Sequence, residues 1–182
     1  YQEYFDTRPS VLMFVIDNYE ELVQNATDSE KSQVIGEIEL AIERYVTQAG
    51  GLVKKYERDK MIAVVEERYI KKMIENKFEI LDRVRNVVAG GRMQATLSIG
   101  IGRGGTGYIE SEHFARQALD MCLGRGGDQA AVKTENGYEF FGGVSKGVEK
   151  RTKVKARIVA SALCELINAA DNVVIMGHTF GD

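Results

Sequence analysis

An α+β fold, one antiparallel-rich sheet with helices flanking it, is what this sequence predicts, and three observations carry that expectation. Short apolar or alternating runs with the period of a strand recur along the first 141 residues. Between them lie longer stretches with the 3.6-residue apolar period of a helix. Paired glycines (Gly50-Gly51, Gly90-Gly91, Gly126-Gly127, Gly142-Gly143) punctuate the boundaries. The resulting order is β-α-β-β-α-β-α-β-β.

Each element has its own justification. Ser10–Asp17, "SVLMFVID", is short, apolar and closed by an acid, as a strand buried on both faces would be. The helix that follows opens on a capping box, Thr27 with Glu30, and lines up Ile35, Ile38, Ile42, Tyr45 and Val46 before Gly50-Gly51 stops it. "LVKKYERDKMIAVVEE" reads as two short strands around a polar turn. Residues 69–88 carry Ile70, Met73, Ile74, Phe78, Leu81, Val84 and Val88 at helical spacing, so one helix is expected there, ended by Gly90-Gly91. "MQATLSIGIG" alternates, with Met93, Ala95, Leu97, Ile99 and Ile101 on one face, and predicts a half-buried strand. Ser111–Leu123 predicts a helix with Phe114, Ala118 and Cys122 on one stripe. "AAVKTENGYEFF" predicts a hairpin turning at Asn136-Gly137. A ferredoxin-like palm satisfies this order. A domain covering 1–143 is expected, with 144–182 supplying a helix and a first strand of a second, α/β unit.

Composition narrows the function. The chain has 182 residues, 44% hydrophobic and 28% charged, enough to bury a core without staples. A formal charge of −3 argues against a protein that coats nucleic acid. Cys122 and Cys164 make no C-x-x-C pair and are read as free buried thiols. No apolar run approaches the ~20 residues that span a bilayer, so no membrane contact is expected within this stretch. "GRGG" occurs at Gly102–Gly105 and Gly124–Gly127. Each is turn punctuation or a weak phosphate cradle, with Arg103 or Arg125 supplying charge. "SKGVEKRTKVKAR" is either a solvated helix face or an electrostatic guide for an anionic phosphodiester. His113 has no acid or thiol at ligand spacing and is read as an exposed polar residue. His178 and Asp182, following the apolar "VVIM", are positioned so that imidazole and carboxylate can converge on one transition-metal ion.

Residues 1–141 resemble a GGDEF domain, the fold of diguanylate cyclases. The resemblance rests on "FVIDNYEEL", "KYERDKMIAVV", "TLSIGIG" and "ALDMCLGRGG". An active cyclase of this family carries a metal-binding Asp where Val15 stands; only the later acid, Asp17, is present. The signature Gly-Gly is replaced by Glu57-Arg58, the acidic pair by Asp59-Lys60 and the Phe by Met61. Leu123 stands near an expected Lys, with Arg125 close by. Side chains at 57 and 58 fill space that glycines leave for a ligand. The loss at position 15 removes a hard oxygen ligand from a Mg²⁺ site. Lys60 adds on the order of 4 kcal/mol of repulsion toward a cation at ~4 Å and an effective dielectric of ~20. The resemblance therefore implies a degenerate, cyclase-inactive domain. Asp17, Arg58, Asp59, Lys60 and Arg125 are the candidate nucleotide contacts, with Mg²⁺ arriving with ATP; the alternative for this turn is a solvated charged hairpin.

The stretch "GGVSKGVEKRTKVKARIVASAL…NVVIMGHTFGD" resembles the junction of such a domain with a DHH-family phosphodiesterase domain. That resemblance implies a piece of a bacterial, membrane-anchored cyclic di-AMP phosphodiesterase, with this portion cytoplasmic and regulatory, weakly ATP-hydrolysing and homodimeric. His178 and Asp182 would open a Mn²⁺-binding motif completed farther along. Two other readings stand beside it: a dimerising module that binds no nucleotide, and a working diguanylate cyclase.

Overall fold

The computed structural model describes residues 6–24, 26–90 and 93–143; the expectations for 144–182, including Cys164, His178 and Asp182, lie outside the described residues. In chain order the elements are β1 (Pro9–Ile16), α1 (Tyr19–Gln24), α2 (Asp28–Gln48), β2 (Leu52–Lys55), β3 (Lys60–Glu66), α3 (Glu67–Glu75) and α4 (Ile80–Arg85). They continue with β4 (Val88–Ala89), β5 (Met93–Gln94), β6 (Leu97–Gly102), α5 (Tyr108–Gly124), β7 (Gln129–Thr134) and β8 (Gly137–Gly142).

Six strands form one sheet in the order β2-β3-β1-β6-β7-β8, and β4 pairs β5 separately. β1 lies antiparallel between β3 and β6, so the four strands β2-β3-β1-β6 reproduce the ferredoxin-like palm. α5 carries the chain from β6 to a parallel β7, and β8 returns as a hairpin. The strand expectation for residues 10–17 holds: Val11 to Ile16 are all buried, and the two parities pack against different layers. Leu12, Phe14 and Ile16 meet α2, α3 and α4 in the main core. Val11, Met13 and Val15 meet Ala115 and Leu119 of α5.

α2 forms for the reasons its sequence supplies. Thr27 accepts from the Glu30 amide while Glu30 accepts from the Thr27 amide at 2.8 Å, and Ile35, Ile38, Ile42, Tyr45 and Val46 are buried. Fully burying an isoleucine such as Ile38 or Ile42 is worth about 1.5–3 kcal/mol, so the core face rather than intrinsic propensity holds this helix.

Three expectations are corrected. The single helix over 69–88 is two helices, because Lys77 and Phe78 adopt left-handed φ values of 50° and 53°. The Phe78 amide donates back to Met73 O and the Lys77 amide to Ile74 O, both at 2.9 Å, which is the paired-bond ending of a helix usually closed by glycine. Burial of Phe78, whose ring lies 5.3 Å from that of Phe141, offsets the roughly 1–2 kcal/mol that each left-handed residue costs. Val88 falls outside the helices, on β4 and exposed.

The expected strand over 93–102 divides into β5 and β6, and β6 is buried on both faces rather than one. Its glycines explain this. A Cβ on Gly100 would collide with the Ala115 carbonyl and the Leu119 amide, and one on Gly102 with the Ser111 carbonyl. The face that looks polar in sequence is covered by α5 at a distance only glycine permits. Finally, Thr134 pairs with Gly137, so the hairpin turns on Glu135-Asn136, one residue earlier than expected.

Candidate functional site

The candidate residues gather at one end of the sheet. β1 ends at Ile16, β3 begins at Lys60, and the loop after α5 returns to β7 at Gln129. The Ile16 amide donates to Asp59 O at 2.9 Å, and the Asp17 amide to Thr96 O at 3.0 Å, so the turn and both strand ends are tied together.

Val15 sits opposite Lys60 in the β1–β3 register. Its side chain is buried with Leu119 and Ala115, with Ile62 and Leu123 packed around them. An isopropyl group in an apolar cluster offers no oxygen to a cation. Glu57 and Arg58 occupy the exposed bend of the β2–β3 hairpin. Partial burial opposes the charge on Lys60, but its hydrogen bond to Glu57 and the negative charges of Asp59 and Glu57 together outweigh this and raise its pKa. Arg58 reaches Glu20 at 3.5 Å on the surface, with its guanidinium 6.0 Å from the Tyr19 ring. Exposed pairs of this kind contribute about 0–1 kcal/mol.

Asp17 faces the α5–β7 loop. Ser98 Oγ donates to Oδ1 at 2.6 Å and the Asp128 amide to Oδ2 at 2.8 Å. Desolvation raises its pKa from 3.8 to about 6, against the lowering effect of the Ser98, Asp128 and Thr96 hydrogen bonds. The loop is shaped around this carboxylate: a Cβ on Gly127 (φ +77°) would come within 2.8 Å of Asp17 Cγ. Asp128, itself at φ 57°, receives Arg85 Nε on both oxygens at 2.9 Å. Arg85 also donates to the Asp128 carbonyl at 3.2 Å.

Resident Mg²⁺ does not fit these side chains. Val15 brings no ligand, both Asp17 oxygens hold protein donors, and no group of three His, Cys, Asp or Glu residues converges on one point among the described residues.

Arg125 is differently placed. Its Nε donates to Gln129 Oε1 at 3.1 Å and its guanidinium lies 4.1 Å from the Phe140 ring centre. Among the described residues no carboxylate stands within ion-pair distance of it. Cys122 is a free, buried thiol that donates to Ile99 O at 3.4 Å, with burial pushing its pKa up to about 12. His113 is exposed beside Gln117, as expected. In the first glycine loop Arg103 is engaged by Glu67, which also accepts from Ser10 Oγ at 2.9 Å.

Sequence reasoning did not single out Ser98, Asp128 and Arg85, which fix Asp17 and its loop. The double glycine before Asp128 was the available signal, since two permissive residues ahead of an acid suit a left-handed anchor. No helix among the described residues is long and apolar enough to cross a membrane.

Comparison with known proteins agrees with this architecture. The family model described as cyclic-di-AMP phosphodiesterase GdpP-like, GGDEF domain, matches residues 14–140. The cyclic-di-AMP phosphodiesterase GdpP of Geobacillus thermodenitrificans is 42% identical over 92% of this chain and 26% of its own length. Cyclic-di-AMP phosphodiesterase PdeA of Listeria monocytogenes is 36% identical over 98% of this chain and 27% of its own. The chain thus spans about a quarter of the length of these curated relatives. Among solved structures, the active GGEEF domain of a diguanylate cyclase from Vibrio cholerae superposes with a TM-score of 0.60 at 14% identity, over 70% of this chain and 85% of that one. The GGDEF domain of DgcB from Caulobacter crescentus, in complex with c-di-GMP, gives 0.59 at 15%, over 72% and 86%. At such identities these two establish the shared fold. The chain belongs to the GGDEF-domain family of cyclic-di-AMP phosphodiesterase GdpP-like proteins.

Proposed function

We propose that this domain is a regulatory, cyclase-inactive, nucleotide-binding part of a cyclic di-AMP phosphodiesterase. The observation that carries the reading is Val15: its side chain is buried against α5, with Lys60 opposite in register, at the position where the resemblance implies a metal-binding Asp in an active cyclase. Condensing two nucleoside triphosphates needs cations to neutralise charge building on the phosphates. This end of the sheet offers ion-paired cations and an acid turned toward its own loop.

Binding without cyclisation asks less. The contact set is drawn from Asp17, Arg58, Asp59, Lys60 and Arg125, with Mg²⁺ arriving on ATP rather than held by the protein. Arg125 is the strongest member, because Arg58 and Lys60 are already paired with carboxylates. Hydrolysis of cyclic di-AMP belongs to the DHH-family domain, where His178 and Asp182 are proposed as Mn²⁺ ligands. Such ions activate water and stabilise phosphoryl charge. Homodimerisation and a cytoplasmic position beside a membrane anchor complete the proposal.

Calorimetric titration of the chain with ATP tests the nucleotide reading. Saturable binding is expected below millimolar ligand. A flat titration at millimolar ATP would favour a module that transmits signals by association alone.

A further inference from the structure

We propose that a nucleotide is bound on the outer ledge of β8, its base against Tyr138 and its phosphates toward Arg125 and Lys133. The inference rests on the nucleotide-binding reading above and says where in the domain that binding occurs.

α5 packs on β1, β6 and β7, and on β8 it meets Phe140 while Tyr138 stays exposed. On the side of β8 that continues this face, Tyr138 and Phe140 stand two residues apart with ring centres 6.3 Å apart and planes inclined by 17°. Tyr138 is exposed, at 38%, and Phe140 is half-buried against Ala118, Cys122 and Ala131. A cation flanks each ring. Lys133, paired with Tyr138 across the hairpin, places its Nζ 4.5 Å from the Tyr138 ring centre and 5.1 Å from that of Phe114. Arg125 covers Phe140 at 4.1 Å.

Among the described residues neither cation has a carboxylate at ion-pair distance. Glu139 alternates to the other face of β8, so the acid of this strand does not share the face that carries the two cations. Near-parallel aromatic rings bordered by unneutralised cations suit a planar base joined to an anion. The β2–β3 hairpin suits it less: its cations are paired with Glu57 and Glu20, and Asp59 adds a further negative charge. Lys60 lies four strand positions from β8 in the sheet, about 19 Å at ~4.8 Å per strand, so one nucleotide does not reach both.

The chain contains no tryptophan, so Tyr138→Trp introduces a single reporter whose emission a stacked base quenches. ATP is expected to quench it saturably, adenosine more weakly, and inorganic tripolyphosphate not at all. Tyr138→Ala and Lys133→Met are each expected to weaken ATP binding about tenfold, within the range that stacking and cation contacts supply. Lys31→Met, which removes a surface cation on α2, leaves binding unchanged. Unaltered urea midpoints for the two ledge variants would establish that they fold. If both fold and bind ATP as the wild-type chain does, while the paired variant Arg58→Ala/Lys60→Ala does not, the ledge is wrong and the nucleotide reading survives. If the wild-type chain binds no ATP, both fall. Displacement of ATP by a single-stranded oligonucleotide at lower concentration would overturn a nucleotide in favour of nucleic acid.

Discussion

A valine has neither charge nor lone pair to offer, and at position 15 it also repacks its surroundings: Leu119 and Leu123 close over it from α5. Restoring an acid there would place a carboxylate in an apolar cluster beside Lys60, so reversing one residue would not rebuild a metal site. Asp17 keeps its acid but spends both oxygens on Ser98 and the Asp128 amide. Its raised pKa, about 6 against 3.8, has a consequence for stability. Folding favours the protonated form, so the contribution of this group is full below pH ~4 and is lost as pH rises through about 6. Its size is on the order of 3 kcal/mol, at about 1.4 kcal/mol per pKa unit. Urea midpoints across pH 4–7 should show this component in the wild-type chain and lose it in Asp17→Asn; identical profiles would contradict the assignment. Gly127→Ala meets two obstacles, a left-handed backbone and the Asp17 carboxylate at 2.8 Å, and should destabilise by at least about 2 kcal/mol. A midpoint shift below about 0.5 kcal/mol would mean that the loop relaxes freely.

Among the elements, those whose local signals agree were legible in the sequence. α2 has a cap, an apolar face and a glycine stop, and all three appear as expected. Thr27→Ala should therefore cost about 1 kcal/mol in thermal or urea unfolding, since the amide of Glu30 loses its acceptor. The break between α3 and α4 was not legible, because the apolar period runs through Lys77 and Phe78 and neither residue is a helix breaker by type. Tertiary burial of Phe78 decides it. β6 misled in another way: serine and glycine on alternate positions read as a solvent face, whereas they mark where α5 approaches most closely. Gly100→Ala should prove the point by destabilising the domain by about 1–3 kcal/mol. In the proposed site, Val15, Glu57, Arg58 and Lys60 were legible in the sequence as departures from the pattern that the resemblance implies. The site's internal wiring was not, since Arg85 and Asp128 meet only through the tertiary fold.

For the molecule as a whole, one end of a six-stranded sheet holds apolar packing, ion pairs and a loop anchored on Asp17. The GGDEF fold is retained, and the proposal is that it no longer condenses two triphosphates. Incubation of the chain with GTP and Mg²⁺, followed by chromatographic analysis of the products, tests this most directly. No cyclic di-GMP is expected, with GTP recovered intact or cleaved only slowly to GDP. Steady accumulation of cyclic di-GMP, proportional to protein, would contradict the account.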